Sequence, residues 1–324
     1  MPTFVHTSFE LPLASHDLAN LRASGVTDET IRENALYTEY DSAKLVEILK
    51  RGQDAVYTQG GLVFRYRNLE GGLNCFARIR PHTPRIRDGE LIKYEQPSGT
   101  PCRAYFPKAS LPLLLAGDDP FLTEGEKKAL ALSQIGKAAV AIGGPWSWKK
   151  KGTDELIDDL EAIGWHGKTP RIVFDHDKKP ETRRYTALAA RRLARALRKA
   201  GAMEVYAVEL PPGKDGAKQG VDDFLVAHGP KAFHELVEQA KPVPILNSYF
   251  PLTKPQGRTD ANNAARLAAK YEEVIVWVGP WDKWMVWDGS RWKRDQCLAI
   301  ESKAKDLAAS LFDEIADFLR ENQQ

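Results

Sequence analysis

The chain has 324 residues, 43% of them hydrophobic, with 46 lysines and arginines against 44 aspartates and glutamates and a formal charge of +2. That length supports a real core and about two domains, and the near balance of charge excludes a general polycation, so any affinity for nucleic acid has to come from local clusters. Three scattered cysteines, Cys75, Cys102 and Cys297, exclude a disulfide framework and a four-cysteine zinc site and fit a reducing compartment. No stretch approaches the ~18 continuous apolar residues of a membrane span, and the amino terminus lacks a basic region followed by an apolar run. A soluble, cytoplasmic protein with no membrane partner is expected.

From Leu13 to Leu49 the pattern is helical. In "GVTDETIRENAL", Thr27 reads as a cap, and Asp28 and Glu29 offset the dipole of the turn that follows. Next, "GGLVFRYRN", "NCFARIRP" and "ELIKYE" alternate apolar with polar or basic residues between glycine-containing turns, which predicts strands. After Phe106 the rhythm becomes strand and helix in turn: "PFLTEGEKKALALSQIG", "KAAVAIGGPWSW", "DELIDDLEAIGW", "PRIVFDHD", an arginine-rich helix, "MEVYAVELP" and "VDDFLVAHGPKAFHELVEQA". Such alternation predicts an α/β fold with a mainly parallel, Rossmann-like sheet. A proline-rich stretch, "KPVPILNSYFPLTKPQGRTD", reads as a linker. The divisions expected are a basic α+β subdomain at 1–112, the parallel sheet at 113–240, the linker at 241–258 and a small α/β unit at 259–324.

Working residues of an open parallel sheet sit at the carboxyl ends of its strands. Acidic groups stand at three such positions: Glu124, the pair Asp175 and Asp177, and the pair Asp222 and Asp223. Asp175 and Asp177 are two residues apart and so share a face; like charges this close repel unless a cation lies between them. Ligands that are oxygen only favour a hard ion, Mg²⁺ or Mn²⁺, over zinc. The arginines of the next helix would then face a polyanion, the ordinary alternative being a solvated helix face.

"FLTEGEKKALALSQIG", "AVAIGG", "IVFDHD" and the late "GVDDFL", in that order, resemble a Toprim domain, the metal-binding module of bacterial-type primases, type IA and II topoisomerases and certain nucleases. The resemblance covers residues 117 to 240. It implies that Glu124 is a general acid/base or metal ligand, that Asp175 and Asp177 are metal ligands joined by Asp222 or Asp223, and that Lys127 and Lys128 meet phosphate. The preceding half, with "LRASGVTDETIRENAL" and "LIKYEQPSGTPCRAYFPK", is similar in order to the basic half of the bacterial replicative primase core. Between Arg65 and Lys108, nine lysines or arginines stand against four acidic residues, interleaved with aromatics, a composition suited to a template groove. Lys93, Arg78 and Arg80 are the leading candidates there for template or nucleotide, with Arg65, Arg67 and Arg103 beside them.

The resemblance implies a DNA primase-like nucleotidyltransferase acting on single-stranded DNA and nucleoside triphosphates for a phage, plasmid or integrated element. A Toprim nuclease and a non-catalytic helicase adaptor are the alternatives. The zinc ribbon of the replicative primases has no counterpart here, so template choice is expected to come from elsewhere. Five of the eight tryptophans lie between Trp277 and Trp292, in a segment resembling the pre-helicase region of phage and plasmid primase-helicases. They are expected to form a small β-core, and a replicative helicase, fused or separate, is the expected partner. "AIGWHGKTP" is set aside as a phosphate loop, because Ala162 replaces the first glycine and a strand follows where a helix should.

Overall fold

The computed structural model describes residues 12–52, 57, 59–87, 89–244, 263, 266–267, 270–271, 274–278, 281–288, 291–296 and 298–309. The chain divides into two compact units, Met1–Val243 and Pro244–Gln324. The first begins with α1 (Ser15–Ala23) and α2 (Asp28–Glu33), and Thr27 caps α2 by accepting a hydrogen bond from the Thr30 amide at 3.3 Å. β1 (Tyr37–Glu39), α3 (Ser42–Ile48), β2 (Gly61–Arg67) and β3 (Leu73–Pro81) follow, the strands forming an antiparallel sheet in the order β1-β2-β3. A hairpin of β4 (Arg85–Arg87) and β5 (Glu90–Ile92) completes this half.

The alternation read in β3 does not produce a half-exposed strand. Phe76, Ala77, Arg78 and Ile79 are all buried, because both faces of the sheet are covered. Val63, Ala77 and Ile79 pack with Leu45 and Leu49 around α3, whereas Phe64, Tyr66 and Phe76 pack with Phe121, Ala139 and Val173. The latter three belong to the second layer.

That layer follows α4 (Ser110–Ala116) and runs β6 (Phe121–Glu124), α5 (Glu126–Gln134), β7 (Ala139–Ile142), α6 (Asp158–Glu161), β8 (Arg171–Val173), α7 (Pro180–Lys199), β9 (Tyr206–Ala207), α8 (Val221–Glu238) and β10 (Lys241–Pro242). The five strands are ordered β10-β9-β8-β6-β7, parallel throughout except for the edge strand β10. This is the mainly parallel α/β sheet expected. The first residues of the segment read as a linker belong to it, and Val243 is buried in its core; residues 245–258 lie outside the described residues. One face is covered by α7 through Ala189, Leu193 and Leu197, with Trp148 and Trp165, and the other by α5 and α8 through Ala129, Leu130, Phe224 and Phe233. α7 thus buries its aliphatic side, and Arg184, Arg191 and Arg195 are exposed on its solvated side. Arg183 and Arg192 are engaged locally, with the carbonyls of Asp177 and Lys178 and with Asp154 respectively.

A buried cluster joins the two halves of this unit. Tyr66 from β2 donates to Glu126 Oε1 at 2.8 Å, and Arg78 from β3 donates to the same oxygen at 3.0 Å, with Glu126 opening α5. Glu126 is 1% exposed. Tyr105 adds a backbone bridge to Ala141 on β7.

In the second unit, β11 (Ile275–Val278), β12 (Lys283–Trp287) and β13 (Trp292–Arg294) form an antiparallel three-stranded sheet. Trp277 lies opposite Trp284 and Trp287 opposite Trp292, each pair meeting edge to face at 5.3 and 5.6 Å. Trp277, Trp284 and Trp292 stay 37–46% exposed, so among the described residues the tryptophans expected as a small β-core make cross-strand pairs on this sheet that remain open on one side. Among the described residues no helix is long and apolar enough to cross a membrane.

Removing one partner of a buried ion pair leaves the other charge uncompensated and costs about 3–5 kcal/mol. Arg78→Met is therefore expected to lower the urea unfolding free energy by that amount, and adding Glu126→Gln to restore most of it. A single variant that unfolds like the wild type would mean that this pair does not hold the halves together.

Candidate active site

Strand β6 lies between β7 and β8, and the connection from β7 crosses past it to β8, so the strand order reverses there and a crevice opens at the carboxyl ends of β6 and β8. Glu124 ends β6, and Asp175 follows β8 by two residues. The two are tied directly, for the Asp175 amide donates to Glu124 Oε1 at 3.1 Å. Gly125 continues the chain at φ +90°, a left-handed turn that favours glycine and lets α5 start at once.

Two ammonium groups stand among the acidic side chains. Lys128 Nζ lies 3.1 Å from Asp175 Oδ1, and Lys218 Nζ lies 3.0 Å from Asp175 Oδ2 and 3.4 Å from Asp177 Oδ2. Lys218 was not singled out by the sequence. An antiparallel bridge between His176 and Gln219 brings it here. Asp177 also accepts from the Lys179 amide at 3.1 Å, and that hydrogen bond, ahead of the nearby lysines, holds its carboxyl below the ordinary range.

The adjacent pair at the start of α8 separates cleanly. Asp222 is buried and its Oδ1 has no hydrogen-bond partner among the described residues, whereas Asp223 is exposed and accepts from the Gly220 amide at 3.2 Å. Asp223 therefore closes the helix end, as an acidic residue at the third helical position does, and Asp222 faces the cleft. A Cβ on Gly220 would stand 2.5 Å from Asp222 Oδ1, 2.6 Å from Lys128 Cε and 3.3 Å from Asp175 Oδ1. Only glycine allows these three side chains to converge.

Burial, followed by the Asp175 charge, raises the Glu124 carboxyl above its ordinary range, and burial likewise raises Asp222. Burial pulls the Lys128 ammonium down, but Asp175, Asp222 and Glu124 outweigh it and leave it raised. A cleft of about 280 Å³ is lined by Glu124, Lys128, Asp175, Lys218 and Asp222 together with Lys93 and Tyr94 from the basic half.

The other basic candidates are dispersed. Arg78 lines the cleft but is 9% exposed and held by Glu126, so it is not a free phosphate ligand. Lys127, expected to meet phosphate, lines the same cleft, but its ammonium turns to Asn20 and Ser24 at 3.2 and 2.7 Å on α1 and just beyond it. Arg67 donates to the carbonyls of Gly71 and Glu33. Arg103 pairs with Asp159 at 2.6 Å and lines a separate cleft of about 1060 Å³. Arg80 is half-buried on β3, and Arg65 on β2 and Lys93 beyond β5 are exposed.

The donor set suits a hard divalent ion: Glu124, Asp175, Asp177 and Asp222 offer oxygen only, and Asp222 holds a buried oxygen without a partner among the described residues. Among the described residues no three of these carboxylates bring ligand oxygens within 4.8 Å of one another, the two ammonium groups standing among them.

Residues 120–232 match a family described as "Domain of unknown function (DUF3854)". An uncharacterized protein of Picosynechococcus sp. is 31% identical over 134 residues, which is 38% of this chain and 13% of that protein; the chain thus spans a small part of that relative. Among solved structures, the zinc-binding and RNA polymerase domains of the Aquifex aeolicus primase superpose with a TM-score of 0.51 at 16% identity over 80% of this chain and 64% of that one. A DNA primase domain from Pseudomonas aeruginosa gives 0.50 at 20% identity over 74% and 75%. The DnaG primase catalytic domain bound to single-stranded DNA gives 0.51 at 17% over 82% and 84%. The chain carries the Toprim primase-like fold of the bacterial primase catalytic cores.

A carboxyl whose pKa is raised on folding binds its proton more tightly folded than unfolded. Its contribution to stability is full below the ordinary value of ~4.3 and is lost as pH rises through the raised one. In chelator-treated protein, Glu124→Gln is therefore expected to reduce the decline in urea midpoint from mildly acidic to neutral pH. Identical pH slopes for variant and wild type would contradict the raised pKa.

Proposed function

We propose that the chain is the catalytic core of a DNA primase-like nucleotidyltransferase that makes short primers on single-stranded DNA for replication of a phage, plasmid or integrated element. The observation that carries this reading is the meeting of Glu124, Asp175 and Asp222 with Lys128 and Lys218 at the switch point of a parallel sheet, facing Lys93 of the basic half across one cleft. Glu124, Asp175, Asp177 and Asp222 would hold Mg²⁺ or Mn²⁺. Such an ion, when bound, lowers the pKa of an attacking 3′-hydroxyl and stabilises the charge on departing pyrophosphate.

The chain's own groups have separate tasks. Lys128 and Lys218 neutralise the acidic cluster, and Lys218, with its side chain 55% exposed, is free to exchange a carboxylate for a triphosphate oxygen. Glu124, with its raised pKa, is suited to hold or pass a proton at the hydroxyl. Asp177 and Asp223 order the turns that present Asp175 and Asp222. Lys93, Arg80 and Arg65 supply positive charge for the template backbone, and a replicative helicase is the partner in the same task.

Labelled nucleotide incorporation on single-stranded DNA with Mg²⁺ or Mn²⁺ tests this. The wild type is expected to make short oligonucleotides, Asp175→Asn with Asp177→Asn none, and Lys218→Ala about 10²–10³-fold fewer, as when one preorganised donor to developing charge is lost. A shortened template without synthesis would assign a nuclease. DNA binding unchanged by these variants, with neither reaction, would assign a non-catalytic adaptor.

A further inference from the structure

We propose that His16, Asp17 and His82 form a transition-metal site, with Zn²⁺ the ion it suits, separate from the acidic cluster and joining the first turn of α1 to the end of β3. His16 and Asp17 are consecutive in α1, and His82 follows β3 directly. One ligand atom from each lies within 4.8 Å of the other two. His82 Nε2 is 2.8 Å from Asp17 Oδ2, His16 Nε2 is 3.7 Å from Asp17 Oδ1, and the two imidazole rings meet edge to face at 4.2 Å.

The hydrogen bonds around the cluster favour a metal. His82 Nδ1 lies 2.5 Å from the carbonyl oxygen of Gln59, which can only accept, so Nδ1 carries a proton. In the neutral ring, Nε2 then presents its lone pair to a carboxylate oxygen, an arrangement that repels unless a cation takes both. A proton on Nε2 would satisfy that one pair but gives no role to His16 at the other Asp17 oxygen, and two protonated rings in contact would repel. One divalent ion accounts for all three side chains. The surroundings are those of a ligand set: a ligating histidine gives its second N–H to a carbonyl and a ligating carboxylate is itself hydrogen-bonded. Here the Thr38 hydroxyl donates to Asp17 Oδ2 at 2.7 Å while accepting from the Ala14 amide at 2.9 Å, which fixes its direction.

Two imidazoles and one carboxylate suit zinc, whereas Mg²⁺ prefers oxygen alone. Three protein ligands leave a position for water, and the His16 side chain, 58% exposed, leaves that position open to solvent. Asp17, 3% exposed in its side chain, anchors the site from inside.

The test is titration of the chelator-stripped full chain with Zn²⁺, and with Co²⁺ as a visible-range reporter, in excess Mg²⁺ to fill the acidic cluster. One equivalent is expected, with the spectrum of tetrahedral nitrogen and oxygen ligation and no thiolate-to-cobalt band. His16→Asn and His82→Asn should abolish it, Thr38→Val should weaken it about 10–100-fold, and Asp175→Asn should leave it intact. His16 lies at the surface, so its loss of binding cannot be put down to misfolding. No uptake by the wild type, a thiolate band, or uptake undiminished in His16→Asn and His82→Asn would overturn the proposal.

Discussion

Asp175 sits 9% exposed at the end of a buried strand, between the ammonium groups of Lys128 and Lys218, and its backbone amide holds Glu124. Carboxylates crowded in a region of low dielectric would protonate or separate without that positive charge. The surrounding backbone makes the arrangement possible. Gly125 lets α5 begin directly after Glu124 and so present Lys128, Gly220 leaves room for Asp222, and the bridge from His176 to Gln219 delivers Lys218. The result is a compact, charge-compensated acidic centre, and the function proposed for it requires the lysines to yield to a metal and a phosphorylated substrate. A buried cluster of this kind is a weak source of stability, which argues for a functional role.

The basic half is built around a second buried acid. Glu126, adjacent in sequence to the acidic centre, takes up Arg78 and the Tyr66 hydroxyl and thereby docks the antiparallel sheet on α5. Burial, then the Glu126 charge, raises the Tyr66 phenol far above its ordinary range, so it stays a donor. Because Arg78 is committed inward, the cationic character of the cleft rests on Lys93, Lys127, Lys128 and Lys218. Docking and assembly of the acidic centre are thus coupled through one turn of helix, since Glu126 and Lys128 both lie in the first turn of α5.

The parallel sheet and its acidic strand ends were legible in the sequence, because strand–helix alternation and acidic residues after "FLT" and "RIVF" are local signals. The division of labour between Asp222 and Asp223 was also available: an acid three residues after Gly220 is in a capping position, leaving its neighbour to point inward. Other features depend on contacts between distant segments. Arg78 looked like one of several exposed basic residues because nothing local reveals that β3 is covered on both faces. Lys218 was hidden in a polar loop whose placement depends on a bridge 43 residues back along the chain, at His176 to Gln219. His16 and His82 carry no motif spacing, being brought together only by the packing of α1 against the end of β3. The tryptophans were read as a small β-core, and which of them meet is decided by the strand register, Trp277 with Trp284 and Trp287 with Trp292, which no local signal fixes.

The central claim is that Glu124, Asp175 and Asp222 form a divalent-ion centre compensated by Lys128 and Lys218. Anomalous diffraction from crystals soaked in Mn²⁺ tests it most directly. The account predicts a manganese peak bounded by those carboxylates, with Lys218 withdrawn from Asp175. An acidic cluster without a peak, with both lysines still paired to Asp175, would contradict it.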